Sequence, residues 1–225
     1  MTGFAQRLHA TACEYRQADH PVDPLFVNRW SPRAFEAKAM PEGDLYTVLE
    51  AARWAPSAYN IQPWRFIYAM RDDAHWNVFL GLLDPFNASW AKNASALVFL
   101  VSDTLTPAHG ASPAQPSRTH SFDAGAAWAQ LALQATTMGY QAHAMAGIHF
   151  DEIRQRLAVP GNYRVEIAIA IGRQTDPRDL PPALQEREMP SPRLPLEEIA
   201  FSERFARDPD NADSVPLDDS AQGDQ

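Results

Sequence analysis

The spacing of apolar and polar positions changes period several times along the chain. In "PEGDLYTVLEAARWA", Pro41 to Ala55, the residues Leu45, Val48, Leu49 and Ala52 recur at helical spacing. Pro41 suits a helix start, Glu42 and Asp44 suit its positive end, and the helix is expected to stop before Pro56. "WRFIYAM", Trp64 to Met70, is short, aromatic and β-branched and reads as a strand. "DDAHWNVFLGLLD", 72–84, reads as a helix capped by Asp72 or Asp73, and "SALVFLVS", 95–102, as a buried strand. "FDAGAAWAQLALQATTMGY", 122–140, is the strongest helical signal, rich in Ala, Leu and Gln, with Gly139 suited to the position just past its end. "QAHAMAG", 141–147, reads as a short strand and turn. "DEIRQRLAV", 151–159, reads as a helix ending before Pro160. "YRVEIAIAIG", 163–172, is a strand with Val165, Ile167, Ile169 and Ile171 at alternate positions.

Other stretches lack a clear period. Residues 3–17 admit a short helix through Phe4, Leu8 and Tyr15, and "DHPVDPLFVNRWSP", 19–32, reads as turn-rich because of its prolines. Residues 103–121 form a Pro-, Ser- and Ala-rich loop of about 20 residues, a length usually found in lids or disordered segments. Beyond Gly172 the chain is rich in Pro and charge, "SPRLPLEEIAFSERF" restores apolar positions, and 206–225 is acidic and expected to be a mobile tail. There is no internal repeat. Strands alternating with helices give an α/β or α+β class.

Composition narrows this further. With 225 residues, 45% of them hydrophobic, a single domain is the expectation. We assign 1–24 as an N-terminal extension, 25–205 as the folded domain and 206–225 as the tail. A net charge of −9 and a pI near 5.2 argue against nucleic acid as a partner, since no basic excess is available to displace counterions. The single cysteine, Cys13, allows no disulfide within the chain and reads as a small packed residue. No signal peptide is evident, and the most apolar run, "ASALVFLVS", is shorter than the roughly 20 residues a membrane helix needs. The expectation is a soluble, cytoplasmic protein with no membrane partner. Neither GxGxxG nor GxxxxGK[ST] is present, so a phosphate would have to be held by arginines and hydroxyls.

Three segments carry candidate chemistry. In "NRWSPRAF", Arg29, Ser31 and Arg33 occupy alternate positions, and Pro32 biases Ser31 toward extended backbone, so all three side chains point to one side. They form either a phosphate-binding set, for which arginine is well suited, or a pair of solvated surface arginines beside a serine. In "WAPSAYNIQPWRF", Ser57, Asn60 and Gln62 supply uncharged donors and acceptors, either for local turn capping or for the edge of a heteroaromatic ring. In "SPRLP", Arg193 is held between two prolines, as a further cation or as part of an arm packing on another subunit.

Taken in order, "RWSPRAF", "APSAYNIQPWRF", "AMAG" and "IAIG…SPRLPLEE" resemble the FMN-dependent nitroreductase family over about residues 25–205. The resemblance implies an α+β sandwich with a central, mainly antiparallel sheet flanked by helices, assembled as an intertwined homodimer with FMN at the interface. By the same resemblance, Arg29, Trp30, Ser31 and Arg33 match a segment whose first arginine and serine hold phosphate and ribityl oxygens. Its last basic residue approaches flavin N1 and O2. Pro56, Ser57 and Ala58, continued by Asn60 and Gln62, match a loop reaching the cofactor from the other subunit. Asn87 matches an amide near the pyrimidine edge, Met145, Ala146 and Gly147 the turn at flavin N5, and Arg193 a phosphate ligand. The implied activity is that of an NAD(P)H-dependent flavoprotein oxidoreductase. It would reduce a small-molecule electron acceptor (a nitroaromatic, quinone or enone) by ping-pong hydride transfer, with Arg33 stabilising the reduced charge.

The chain departs from the family pattern at Trp30, where polar or basic residues are common. It also departs at Ser191, where some members carry a second basic residue, and at Ile148-His149, where a Phe-Asp pair is frequent. These departures bear on substrate choice more than on flavin binding. A flavin-binding carrier or sensor without turnover, and a dehalogenase or flavin-modifying enzyme, are the alternatives on this scaffold. His143 and His149 lack a metal-ligand spacing and a third partner, so no metal is expected. His120 and Asp123 lack the GxSxG elbow of a hydrolase.

Overall fold

The computed structural model describes residues 15–107 and 113–205. The chain divides into two compact units, Met1–Ser191 and Pro192–Gln225. The acidic tail and most of the expected N-terminal helix, Cys13 included, lie outside the described residues.

In the first unit the elements are α1 (Pro24–Asn28), α2 (Glu42–Arg53), a 3-10 turn (Ala58–Asn60), β1 (Trp64–Met70), α3 (Trp76–Leu80), α4 (Pro85–Ala91) and β2 (Ala96–Asp103). These are followed by β3 (Leu105–Thr106), β4 (Gln115–Pro116), α5 (His120–Thr137), β5 (Gln141–Met145), α6 (Phe150–Arg156), β6 (Tyr163–Gly172) and α7 (Pro182–Gln185). In the second unit a 3-10 turn spans Leu196–Glu198, and the rings of Phe201 and Phe205 meet at 4.8 Å.

Four strands form an antiparallel sheet in the order β1-β2-β6-β5, with β1 and β5 at opposite edges. The period of two along β2 divides the core in two. Leu97, Phe99 and Val101 join Trp76, Phe79, Trp90, Met145, Ile153, Ala168 and Leu184 on one face. Ala96, Val98 and Leu100 join Leu45, Val48, Ala52, Ala127, Leu131, Ala135, Ile169 and Ile171 on the other. Helices therefore cover both faces of an antiparallel sheet, an α+β sandwich. Each fully buried Leu or Phe stabilises this arrangement by about 1.5–3 kcal/mol. Gly139 closes α5 at φ 76°, the left-handed conformation glycine adopts without penalty.

Three expectations need correction. Residues 72–84 are not one helix: Asp72 is left-handed at φ 72°, and the Asp73 carboxylate accepts from Met70 N at 2.9 Å, so the two aspartates build a turn. The helix starts only at Trp76, and α4 follows separately. The stretch 19–32 contains α1, capped by Asp23 with Pro24 at its first position. The loop after β2 is not structureless at its base, because Leu105 and Thr106 pair with Pro116 and Gln115. Residues 108–112 lie outside the described residues.

Candidate active site

The segment after α1 alternates as its sequence suggests. Arg29, Ser31 and Arg33 are half-buried, whereas Trp30, Pro32 and Ala34 between them are buried. Arg29 Nη1 donates to Ser31 Oγ at 3.3 Å, which brings a guanidinium and a hydroxyl together. Trp30, at 6% exposure, joins the interior and not this polar row.

A residue distant in sequence holds the other end of the segment. Glu188 Oε1 accepts from the backbone N–H groups of Arg33 (2.6 Å) and Ala34 (2.8 Å). Glu188 Oε2 lies 3.9 Å from Arg33 Nη1, an ion pair without a hydrogen bond. Both this oxygen and Arg33 Nε are buried without a hydrogen-bond partner among the described residues. Loss of water dominates both groups. It pushes the Arg33 guanidinium below its ordinary value against the attraction of Glu188, with Arg187 adding to the depression. It also raises the Glu188 carboxyl despite the two backbone bonds and the Arg33 charge. A half-buried cation with an unpartnered Nε is suited to an anionic ligand.

Strand β5 meets this segment at its edge. The Nδ1–H of His143 donates to Pro32 O at 2.9 Å, a carbonyl being able only to accept. Burial, aided by the charges of Arg33 and Arg29, lowers its pKa to about 4 against the backbone bonds that oppose it, so His143 is neutral at pH 7. Its ring lies 4.6 Å from that of Trp90, which in turn sits 6.2 Å from Phe35.

Helix α4 carries Trp90 and, one turn earlier, Asn87. Asn87 Nδ2 donates to Gly147 O at 3.1 Å, and Asp84 N donates to the same carbonyl at 3.1 Å. The Asp84 carboxylate caps the helix by accepting from Asn87 N at 2.6 Å. A Cβ at position 147 would overlap Asp84 Oδ2, so any other residue there must displace the Asp84 and Asn87 side chains. The turn after β5 is thus gripped by α4, with Met145 buried and Ala146 exposed. The structure brings Asn87 to Gly147, and His143 to the segment carrying the arginines.

It does not bring the 56–62 loop to them. Ser57 Oγ accepts from Gln62 N at 3.0 Å, Gln62 Nε2 donates to Asn60 O at 2.9 Å, and Ala58 N donates to Asp123 on α5 at 3.3 Å. The loop leads into β1, at the sheet edge opposite β5. Tyr59, Asn60 and Gln62 are left-handed at φ 51°, 56° and 53°, and Tyr59 is 98% exposed. Arg193 belongs to the second unit, where it donates to Pro192 O at 2.9 Å.

Sequence reasoning missed Glu188, Arg16 and the role of Asp84. Arg16 donates to Val27 O (3.1 Å), Arg29 O (2.9 Å) and Ser191 O (2.8 Å), tying the N-terminal segment to the arginine row. Asp84 had a signal, since Asp-Pro is a helix start. An isolated Glu or Arg in a charged stretch had none.

Comparison with known proteins identifies the family. The family model described as Nitroreductase matches residues 27–76 and 70–173. A solved structure described as an oxidoreductase containing FMN superposes with a TM-score of 0.83 at 52% identity, over 85% of this chain and 96% of that one. An enone reductase of CLA biosynthesis from Lactiplantibacillus plantarum is 27% identical over 185 residues, 68% of this chain and 84% of its own. An NADH dehydrogenase from Thermus thermophilus is 48% identical over 48 residues, 21% of this chain and 23% of its own. The chain belongs to the nitroreductase family.

Proposed function

We propose that this protein is an FMN-dependent oxidoreductase, a homodimer that draws electrons from NAD(P)H and delivers them to nitroaromatic, quinone or enone-like acceptors. One observation carries the reading: Arg33 is a half-buried cation whose buried Nε has no hydrogen-bond partner among the described residues, in a row with Arg29 and Ser31. That donor set fits a phosphorylated, electron-accepting cofactor. The FMN named for the 52% identical structure and the NADH of the Thermus thermophilus relative support the cofactor and the electron donor. The enone reductase supports a conjugated acceptor.

FMN, when bound, supplies the two-electron chemistry, taking a hydride from reduced nicotinamide and passing it to the acceptor. The chain itself binds, orients and stabilises. Arg29 and Ser31 would hold the phosphate and ribityl oxygens of FMN, the arginine through charge-assisted bonds. Arg33 holds the negative charge that reduction adds, in surroundings where a fixed cation acts strongly. Asn87 and the turn at Met145, Ala146 and Gly147 would border the ring. His143, neutral at pH 7, adds no charge to the two arginines. No protein nucleophile is required.

The sheet order supports the homodimer of this reading. Loop 56–62 leads into the edge strand opposite β5, a placement suited to reaching the arginine row of a second copy. The exposed rings of Trp54, Tyr59 and Phe122, at 70%, 98% and 80%, support a surface of that kind.

Titration of the cofactor-free protein with FMN and with riboflavin tests the assignment. FMN should bind, riboflavin should bind at least about tenfold more weakly (about 1.4 kcal/mol), and Arg29→Ala should erase most of that difference. Failure of FMN to bind, or equal affinity for the two, would overturn it.

A further inference from the structure

We propose that Glu188 is a positioning residue with an electrostatic role. Its carboxylate fixes the backbone at Arg33 and partly offsets the Arg33 charge, and so holds down the reduction potential of bound flavin. The inference rests on the functional reading above and deepens it. Glu188 contributes its two oxygens differently. Oε1 is fully engaged by the N–H groups of Arg33 and Ala34. Oε2 makes no hydrogen bond among the described residues and faces Arg33 Nη1 at 3.9 Å. The Glu188 side chain is fully buried, whereas that of Arg33 is 20% exposed. A residue needed only as a backbone clamp could be an amide, because a single oxygen accepts both bonds. The second oxygen places a negative charge behind a cation that opens toward the site.

The consequence concerns charge, and it has a sign. Reduction adds negative charge to the flavin, which Arg33 stabilises. Glu188, behind Arg33, opposes that stabilisation. Removing its charge while keeping its clamp should favour the reduced flavin. Coulomb attraction between close charges is only modestly screened at a half-buried site, so the effect is measurable. Arg187 also acts on the Arg33 charge, and it is not altered in the test.

The experiment measures the two-electron midpoint potential of the FMN-loaded protein by equilibration with a reference dye. Wild type is compared with Glu188→Gln and Glu188→Asp, and FMN affinity and Tm are recorded alongside. Glu188→Gln keeps one amide oxygen for the clamp. It should raise the ratio of reduced to oxidised flavin affinity about tenfold, an upward shift of about 30 mV for a two-electron couple. Glu188→Asp withdraws the carboxylate without removing it and should give a smaller shift of the same sign, which keeps the test open should Glu188→Gln not fold. A purely structural Glu188 would lower Tm or FMN affinity in either variant and leave the potential unchanged. An unchanged or lowered potential in a folded, FMN-loaded variant overturns the inference while the functional reading stands. Wild-type protein that takes up no FMN defeats the functional reading instead.

Discussion

Replacing Gly147 by alanine tests the idea that the turn after β5 is gripped by α4. The backbone at Gly147 is not left-handed, so the demand is for space alone. An added Cβ would lie 1.9 Å from Asp84 Oδ2, 2.8 Å from Asp84 Cγ and 2.6 Å from Asn87 Nδ2. Asp84 must therefore swing away, and Asn87 with it. Asp84 then gives up the helix cap at Asn87 N, worth about 1 kcal/mol. The Gly147 carbonyl loses the Asn87 amide and is left partly unsatisfied, at a cost of about 1–3 kcal/mol. Together these cost about 3 kcal/mol, which lowers Tm by about 6–12 °C in a protein of this size. Thermal unfolding followed by circular dichroism reads the effect directly. Asp84→Ala combined with Gly147→Ala should lose less stability than the two changes summed, because the second change no longer meets a carboxylate. A Gly147→Ala protein that melts within about 2 °C of wild type would refute the grip, as would strict additivity in the pair.

Further predictions concern the neighbouring elements. His143 has a folded pKa of about 4 against an ordinary value of 6.5, so the unfolded chain takes up a proton between those values that the folded chain refuses. Its contribution to stability is complete above pH 6.5 and is lost as pH falls toward 4. Urea unfolding should show wild type losing about 2 kcal/mol more than His143→Gln between pH 7 and pH 5. Parallel curves would contradict this; Glu188, raised by burial, acts with the opposite sign but equally in both proteins. Asp123→Ala strips acceptors from Ala58 N and Thr119 Oγ1, which should cost about 1–2 kcal/mol and speed chymotrypsin cleavage after the exposed Tyr59. Unchanged proteolysis would show that the loop is held by other means. Leu131→Ala, at a fully buried position between α5 and the sheet, should cost about 2–5 kcal/mol in urea unfolding, and a loss below about 1 kcal/mol would contradict the core assignment.

The elements legible in the sequence were those with one dominant period. Strand β6 alternates Val165, Ile167, Ile169 and Ile171, and α5 carries apolar residues over 18 positions, so both were readable apart from their ends. Of the short helices α6 was readable, but α1 and α4 were not, because five to seven residues carry too few turns to show a dependable period. Their signal was local: α1, α4 and the 3-10 turn at Pro177–Asp179 each begin with Asp-Pro, and each aspartate caps a backbone N–H. Reading the prolines as turn markers hid it.

At the site, the alternation of Arg29, Ser31 and Arg33 was legible because it is a property of extended backbone. The partners of that row were not. Glu188 lies 155 residues from Arg33 in a segment rich in charge, and Arg16 lies 175 residues from Ser191. Only the folded chain brings them into contact. The pairing of Asn87 with Gly147 likewise depends on α4, which the sequence pattern does not resolve.

If the arginine row and the β5 turn serve a reducible flavin, the most direct test is the visible spectrum of the FMN-loaded protein under anaerobic NADH and NADPH. The flavin absorbance should bleach with at least one nicotinamide, recover when a quinone or nitroaromatic is added, and bleach more slowly in Arg33→Ala. Flavin that stays oxidised under both nicotinamides would contradict that role, and so would wild-type reduction rates in Arg33→Ala.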